Sequence, residues 1–230
     1  RKKNILLRSG HLLTLILIII GLSRPQLVDK IKETSVEVVD MILVLDISSS
    51  MLADDFQPNR LEAVKKTAVD FINSRIIDRI GIIVFAAESF IQCPLTIDKS
   101  VLKSLIDEIN IVSKEYDGTA IGMAIANATN RLRKSSVKSK VMVLLSDGSN
   151  NSGEIDPITA AELASQYEIK IYTIGAGTNQ AFTRIPGKGL IANEIDEETL
   201  KFIANKTGGK FFRATDIKAL ESIYNEIDIL

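Results

Sequence analysis

Three short segments of this 230-residue chain carry oxygen donors in patterns that suit a hard cation. The first is Asp46-Ile47-Ser48-Ser49-Ser50, at the end of a run of aliphatic residues. A tight loop there turns Asp46, Ser48 and Ser50 toward one point, offering a carboxylate and two hydroxyls. The second is Asp117-Gly118-Thr119, just before an Ala-rich helical stretch. The third is Ser146-Asp147-Gly148, just after an apolar run. Brought together, Asp46, Ser48, Ser50, Thr119 and Asp147 form a set of oxygen ligands for Mg²⁺ or Mn²⁺, with water completing about six positions. Few of these ligands are anionic, so the ion keeps positive charge and attracts a carboxylate from another protein. Ser49, Asp117, Gly118 and Gly148 are expected around the rim.

Each segment also has a plainer reading. Ser48 and Ser50 can be loop or helix-cap serines, and Asp147-Gly148 can be a simple turn. Asp117 either orients a serine or a metal-bound water, or is a solvated loop acid. Asp54 and Asp55 read as surface acids bordering the site.

For the three loops to meet, the strands that carry them must be neighbours. Val36–Leu45 is a buried strand by pattern, ending at Asp46. A helix over 59–74 follows, with Leu61, Val64, Ala68 and Phe71 on one stripe. Further strands are expected over 79–85, 89–93, 140–145, 170–174 and 210–212. Helices are expected over 99–110, 119–133, 157–167, 197–206 and 216–227, with Asp98 and Asp156 as caps and Pro157 at a first helical position. Residues 178–193 read as a Gly-containing loop or short excursion. Alternation of strands and helices predicts an α/β fold: a doubly wound, mostly parallel sheet flanked by helices. Such sheets bind ligands beyond the carboxyl ends of their strands, where the winding reverses.

Composition removes other classes of function. Lys and Arg total 28 against 29 Asp and Glu, with no Trp, so neither a basic nucleic-acid surface nor a base-stacking platform is expected. A single cysteine, Cys93, excludes an intrachain disulfide and a multi-cysteine metal site. Cys93 reads as an inert, partly buried thiol. A single histidine, His11, excludes a two-His zinc site and a His-based triad in the folded part. Gly175-Ala176-Gly177 lies too late in the chain, with Gln180 after it, for a dinucleotide loop.

The N-terminal run Leu12–Leu22 is apolar all round and has no polar face. Its nine Leu and Ile contribute roughly −3 to −5 kcal/mol toward insertion. Residues 1–8 are read as a basic juxtamembrane segment, 9–23 as a transmembrane helix, 24–35 as a linker and 36–230 as the folded domain. Arg1, Lys2, Lys3 and Arg8 favour the cytoplasm for the segment before the run, which sets the domain on the periplasmic side of a bacterial inner membrane. The chain starts with Arg and is read as a piece of a longer protein.

DISSS with DGTA and LLSDG resembles the metal-ion-dependent adhesion site of von Willebrand factor A (VWA) domains. The segments SMLADDFQPNRLEA, DRIGIIVFA, QCPLT, EIDPITAAELA, YTIGAGT and TGGKFFRATD extend the likeness. They resemble the bacterial aerotolerance (BatA-type) membrane-anchored VWA proteins over nearly the whole chain. The family's metal positions fall on Asp46, Ser48, Ser50, Thr119 and Asp147. Ser49 departs from the usual Gly, and its Cβ matters if that position needs positive φ. The resemblance implies a non-enzymatic scaffold in oxidative-stress tolerance or envelope maintenance. It also implies other VWA proteins, TPR-containing membrane proteins and a MoxR-type AAA+ ATPase as partners, and a further membrane helix downstream. The rival class is a metal-dependent hydrolase or phosphotransferase using Asp46. It lacks a general-base His, a phosphate-clamping Lys in these motifs, and an acid two residues after Asp46.

Overall fold

A computed structural model describes residues 2–22, 38–147, 150–178, 182–185, 189–192 and 195–229. It divides into two compact units, 1–36 and 37–230. The first contributes one helix, α1 (Lys2–Leu22), whose Leu and Ile side chains from Leu12 to Leu22 are exposed. α1 covers the stretch read as a transmembrane helix as far as Leu22. Among the described residues, no helix is long and apolar enough to cross a membrane. The linker expected over 24–35 lies outside the described residues.

The second unit begins with β1 (Val39–Asp46); of its expected first residues, 36 and 37 lie outside those described and Val38 precedes the strand. A short 3₁₀ turn, Ser49–Leu52, leads to α2 (Arg60–Ser74). Then come β2 (Arg79–Phe85), β3 (Ser89–Thr96), α3 (Lys99–Asp107) and α4 (Ile121–Leu132). β4 (Ser139–Ser146), α5 (Pro157–Gln166) and β5 (Ile169–Ala176) follow. The expected excursion over 178–193 is a small hairpin, β6 (Phe182–Ile185) and β7 (Gly189–Ala192). The chain continues with α6 (Glu197–Thr207), β8 (Phe211–Ala214) and α7 (Ile217–Ile229).

Six strands form one sheet in the order β3-β2-β1-β4-β5-β8. All its pairs are parallel except β2 with β3. β3 runs on through Pro94 to Thr96, beyond the expected end at Cys93, because an edge strand has an unpaired side that tolerates a missing N–H. Alternate residues of β1 feed two cores. Met41, Leu43 and Leu45 pack with α2, α3 and α7, whereas Ile42 and Val44 pack with α4, α5 and α6. Burial on both faces explains why this strand reads as a continuous apolar run.

Helix starts follow their caps. Asn59, Asp98, Asp156 and Asp196 each accept a backbone N–H from the first turn of α2, α3, α5 and α6. From β1 the winding goes one way to β2 and the other way to β4. The ends of β1 and β4 therefore flank the reversal point, where an open crevice is expected.

Candidate metal centre

Asp46 is the last residue of β1 and is fully buried. One oxygen accepts the Ser48 N–H at 2.9 Å and the other accepts the Ser146 hydroxyl at 2.7 Å, so the ends of β1 and β4 are joined through one carboxylate. Burial pushes this carboxyl up from 3.8 to about 7, with help from the nearby charge of Asp147 and against the bonds from Ser48 and Ser146. Two carboxylates in one nearly dry place favour a cation.

The serines stand beside them. Ser48 precedes the 3₁₀ turn but makes no side-chain capping bond, so its hydroxyl is not spent as a cap. Ser48 Oγ and Ser50 Oγ lie 2.9 Å apart. Thr119 is buried, and its backbone N–H donates to Asn151 Oδ1 at 2.9 Å. An open cavity of about 330 Å³ is lined by Ser48, Ser49, Ser50, Thr119, Asn151 and Ile185, with Asp117 and Gly118 completing the wall. Asp147 is 7% exposed and directly follows β4.

The rim residues have defined tasks. Asp117 accepts the Ser49 N–H at 2.8 Å and the Ser49 hydroxyl at 2.6 Å, so it ties its own loop to the serine loop. Ser49 is absent from the positive-φ residues, which answers the question raised by its departure from Gly. Its extra hydroxyl makes a bond that glycine cannot. Gly118 is bound to its identity, since φ is +146° and a Cβ would lie 2.3 Å from Ser152 Oγ. Gly148 lies outside the described residues.

Several residues near the site were not singled out for it in the sequence. Asn151 holds Thr119, and Asn150 Oδ1 accepts the Ile121 N–H at 2.9 Å. Asn150 thereby satisfies the start of α4, whose own preceding residue, Ala120, provides no side-chain cap. A run of Asn and Ser after an Asp-Gly was the available signal. Asp55 is a correction: the expected surface acid has a side chain only 2% exposed and pairs with Arg60 at 2.6 Å. Arg60 in turn lies 3.7 Å from Asp147. Nothing in the local sequence announces this pairing. Ile185 reaches the cavity from the hairpin in the segment that the sequence reads as a loop or short excursion.

The donor set fits a hard divalent cation: two buried carboxylates, with serine and threonine hydroxyls on the adjoining loops. Among the described residues, no three His, Cys, Asp or Glu side chains gather, so the centre rests on hydroxyls as much as on carboxylates. Cys93 is buried away from it in β3, and burial pushes its thiol up.

The model of the von Willebrand factor type A domain matches residues 40–226. An uncharacterised protein of Borreliella burgdorferi is 36% identical over 185 residues, covering 77% of this chain and 54% of that protein. The chain thus spans about half the length of this curated relative. Two solved structures, BatB from Bacteroides thetaiotaomicron and an aerotolerance-related membrane protein from Bacteroides fragilis, are each 30% identical with a TM-score of 0.73. They cover 83% and 84% of this chain, and 98% and 100% of their own. Proximal thread matrix protein 1 from the mussel byssus, solved with zinc in its MIDAS motif, shares the fold at TM-score 0.66 and 23% identity. That match covers 83% of this chain and 44% of its own.

Proposed function

The chain belongs to the von Willebrand factor type A family, and from that premise we propose that it is a membrane-anchored binding module whose metal centre captures an acidic side chain of a partner protein. Asp46, Ser48, Ser50, Thr119 and Asp147 hold the ion, which is Mg²⁺ or Mn²⁺. When bound, it supplies one electrophilic position for a carboxylate.

The observation that carries this reading is the meeting of the fully buried Asp46 carboxylate, joined to the end of β4 through Ser146, with the Ser48 and Ser50 hydroxyls. Burial and mutual charge push the Asp46 carboxyl up to about 7, beside two hydroxyls only 2.9 Å apart. A cation relieves that repulsion. Asp117 and Ser49 keep the serine loop in place, while Asn151 positions Thr119. The cavity in front leaves room for a side chain to approach.

The same geometry speaks against Asp46 as a nucleophile. It has no exposed surface, and both oxygens already accept hydrogen bonds. A nucleophile must reach its substrate. Anchoring rests on the apolar run Leu12–Leu22 and on the likeness to an aerotolerance-related membrane protein. We place the domain on the periplasmic side and its work in oxidative-stress tolerance or envelope maintenance. The partners proposed are other VWA or TPR-containing membrane proteins and a MoxR-type AAA+ ATPase.

The test is a thermal scan of the full chain in detergent, with chelator or with millimolar Mg²⁺ or Mn²⁺. A ligand that prefers the folded state stabilises it by about 2.7 kcal/mol at a hundredfold excess over Kd. Metal must raise the melting temperature of wild type and not of Asp46→Ala. Capture of an acidic partner must fail in chelator. Equal shifts in both proteins, or metal-dependent phosphatase turnover lost in Asp46→Ala, defeat the reading.

A further inference from the structure

Arg60 opens α2, where the N-terminal end of the helix carries partial positive charge and disfavours a cation. Its side chain is nevertheless 2% exposed, so burial also works against it. Three other segments of the chain hold it there. Asp55 accepts from Arg60 Nε at 2.8 Å and from Nη2 at 2.6 Å. The loop after β5 closes over this pair, with the Thr178 N–H donating to Asp55 Oδ2 at 3.0 Å. Gly177 gives the guanidinium its space, because a Cβ there would lie 2.9 Å from Arg60 Nη2, and its φ is +157°. This accounts for the last glycine of the Gly175-Ala176-Gly177 run. The remaining nitrogen, Nη1, faces Asp147 Oδ2 at 3.7 Å.

A strut between α2 and the β5 loop requires only the Asp55 contact. The third nitrogen adds something a strut does not need: a fixed positive charge beside one of the two acids proposed to hold the ion. We propose that Arg60 is a built-in counter-cation that shares Asp147 with the bound divalent ion and so sets the affinity of the centre. This rests on the metal-binding reading above. Asp55 sets how much of the guanidinium charge reaches Asp147, since it neutralises the other side of the same group. Arg60 is a positioning and tuning residue that touches no partner. The arrangement gives a weakly held ion whose charge is less fully neutralised by Asp147, a state that favours an incoming carboxylate.

The proposal predicts opposite signs for two neighbouring substitutions. Mn²⁺ alone is titrated into the full chain in detergent, and free ion is read by electron paramagnetic resonance. Arg60→Gln binds Mn²⁺ about tenfold more tightly than wild type, because Asp147 is released to the ion. Asp55→Asn binds about tenfold more weakly, because the guanidinium charge is no longer shared. Arg60→Lys keeps the charge and stays near wild type. The double variant Arg60→Gln/Asp55→Asn matches Arg60→Gln, because Asp55 acts through a guanidinium that is no longer there, and a double variant as weak as Asp55→Asn overturns the proposal. Circular dichroism and metal-free melting check the fold. Should Arg60→Gln not fold, Asp55→Asn still decides, and unchanged or tighter binding in it overturns the proposal. Equal or weaker binding in a folded Arg60→Gln also overturns it. Wild type and Asp46→Ala separate the two levels. If neither holds Mn²⁺, the metal reading falls and this inference falls with it. If only wild type does and the Arg60 and Asp55 variants match it, the inference falls alone.

Discussion

Replacing Asp46 by Asn should make the metal-free protein more stable at alkaline pH while abolishing its response to metal. The carboxyl is fully buried and is pushed from 3.8 to about 7 by burial and by Asp147. Between about pH 4 and pH 7 the folded state therefore holds a proton that the unfolded chain has released. Stability falls as pH rises wherever the folded state binds more protons than the unfolded one. The penalty is absent below about pH 4, grows across that window and is fully present above about pH 7. Three pH units at about 1.4 kcal/mol each give about 4 kcal/mol. Asn removes the charge and keeps an oxygen for the Ser48 N–H, and its amide can donate to the Ser146 hydroxyl, which turns to accept. After roughly 1 kcal/mol for imperfect bonding, Asp46→Asn should be about 2–4 kcal/mol more stable than wild type at pH 8 in chelator. The difference should shrink to nothing or reverse near pH 4. Millimolar Mg²⁺ should restore wild type and leave the variant unmoved. Urea unfolding at several pH values, with matched chelator and Mg²⁺ arms, measures all of this. A variant no more stable than wild type at pH 8, or a difference that ignores pH, refutes the reasoning.

Other positions give sharper structural tests. Gly122→Ala places a Cβ 1.9 Å from the Ile155 carbonyl oxygen, which is backbone, so α4 and the start of α5 must separate. A loss of about 3 kcal/mol or more is expected in denaturant melts. Ser49→Gly removes the 2.6 Å bond to Asp117 but keeps the backbone one, and should cost about 1 kcal/mol while Mn²⁺ affinity moves only a few-fold. Asn150→Ala uncaps α4 and should cost about 1 kcal/mol, read by the same melts. Cys93, buried with its thiol pushed up, should react with a thiol reagent only as fast as the protein opens, so labelling accelerates in urea.

The strands were the most legible part of the chain. β1 and β4 are continuous apolar runs because both faces of the sheet are covered, and each ends where a polar side chain meets the crevice. Their adjacency, on which convergence of Asp46 and Asp147 depends, was a condition the sequence set without fixing it, and it is observed as a parallel pair. Caps at Asp98 and Asp156 were legible because capping is local. Contacts between distant segments were not. Asp55 sits in a run of polar residues, and its partner loop at Thr178 is 123 positions away, so it looked like a surface acid. The β6–β7 hairpin was missed because its strands are four residues each and flank glycines, too short for any period to show. β3 runs three residues past its expected end at Cys93, through a proline that an edge strand tolerates. The apolar N-terminal run does form a helix, but a helix is a local property and crossing a bilayer is a matter of length and surroundings.

Asn150 closes the first turn of α4 from the loop that also carries Asp147. That loop cannot swing outward without stripping a donor group of its acceptor at the head of a helix whose other side is wedged into the sheet. On the proposed reading, an ion that draws on Asp147 also loads Asn150, and amide protection along Ile121–Leu132 is then expected to change when metal is added.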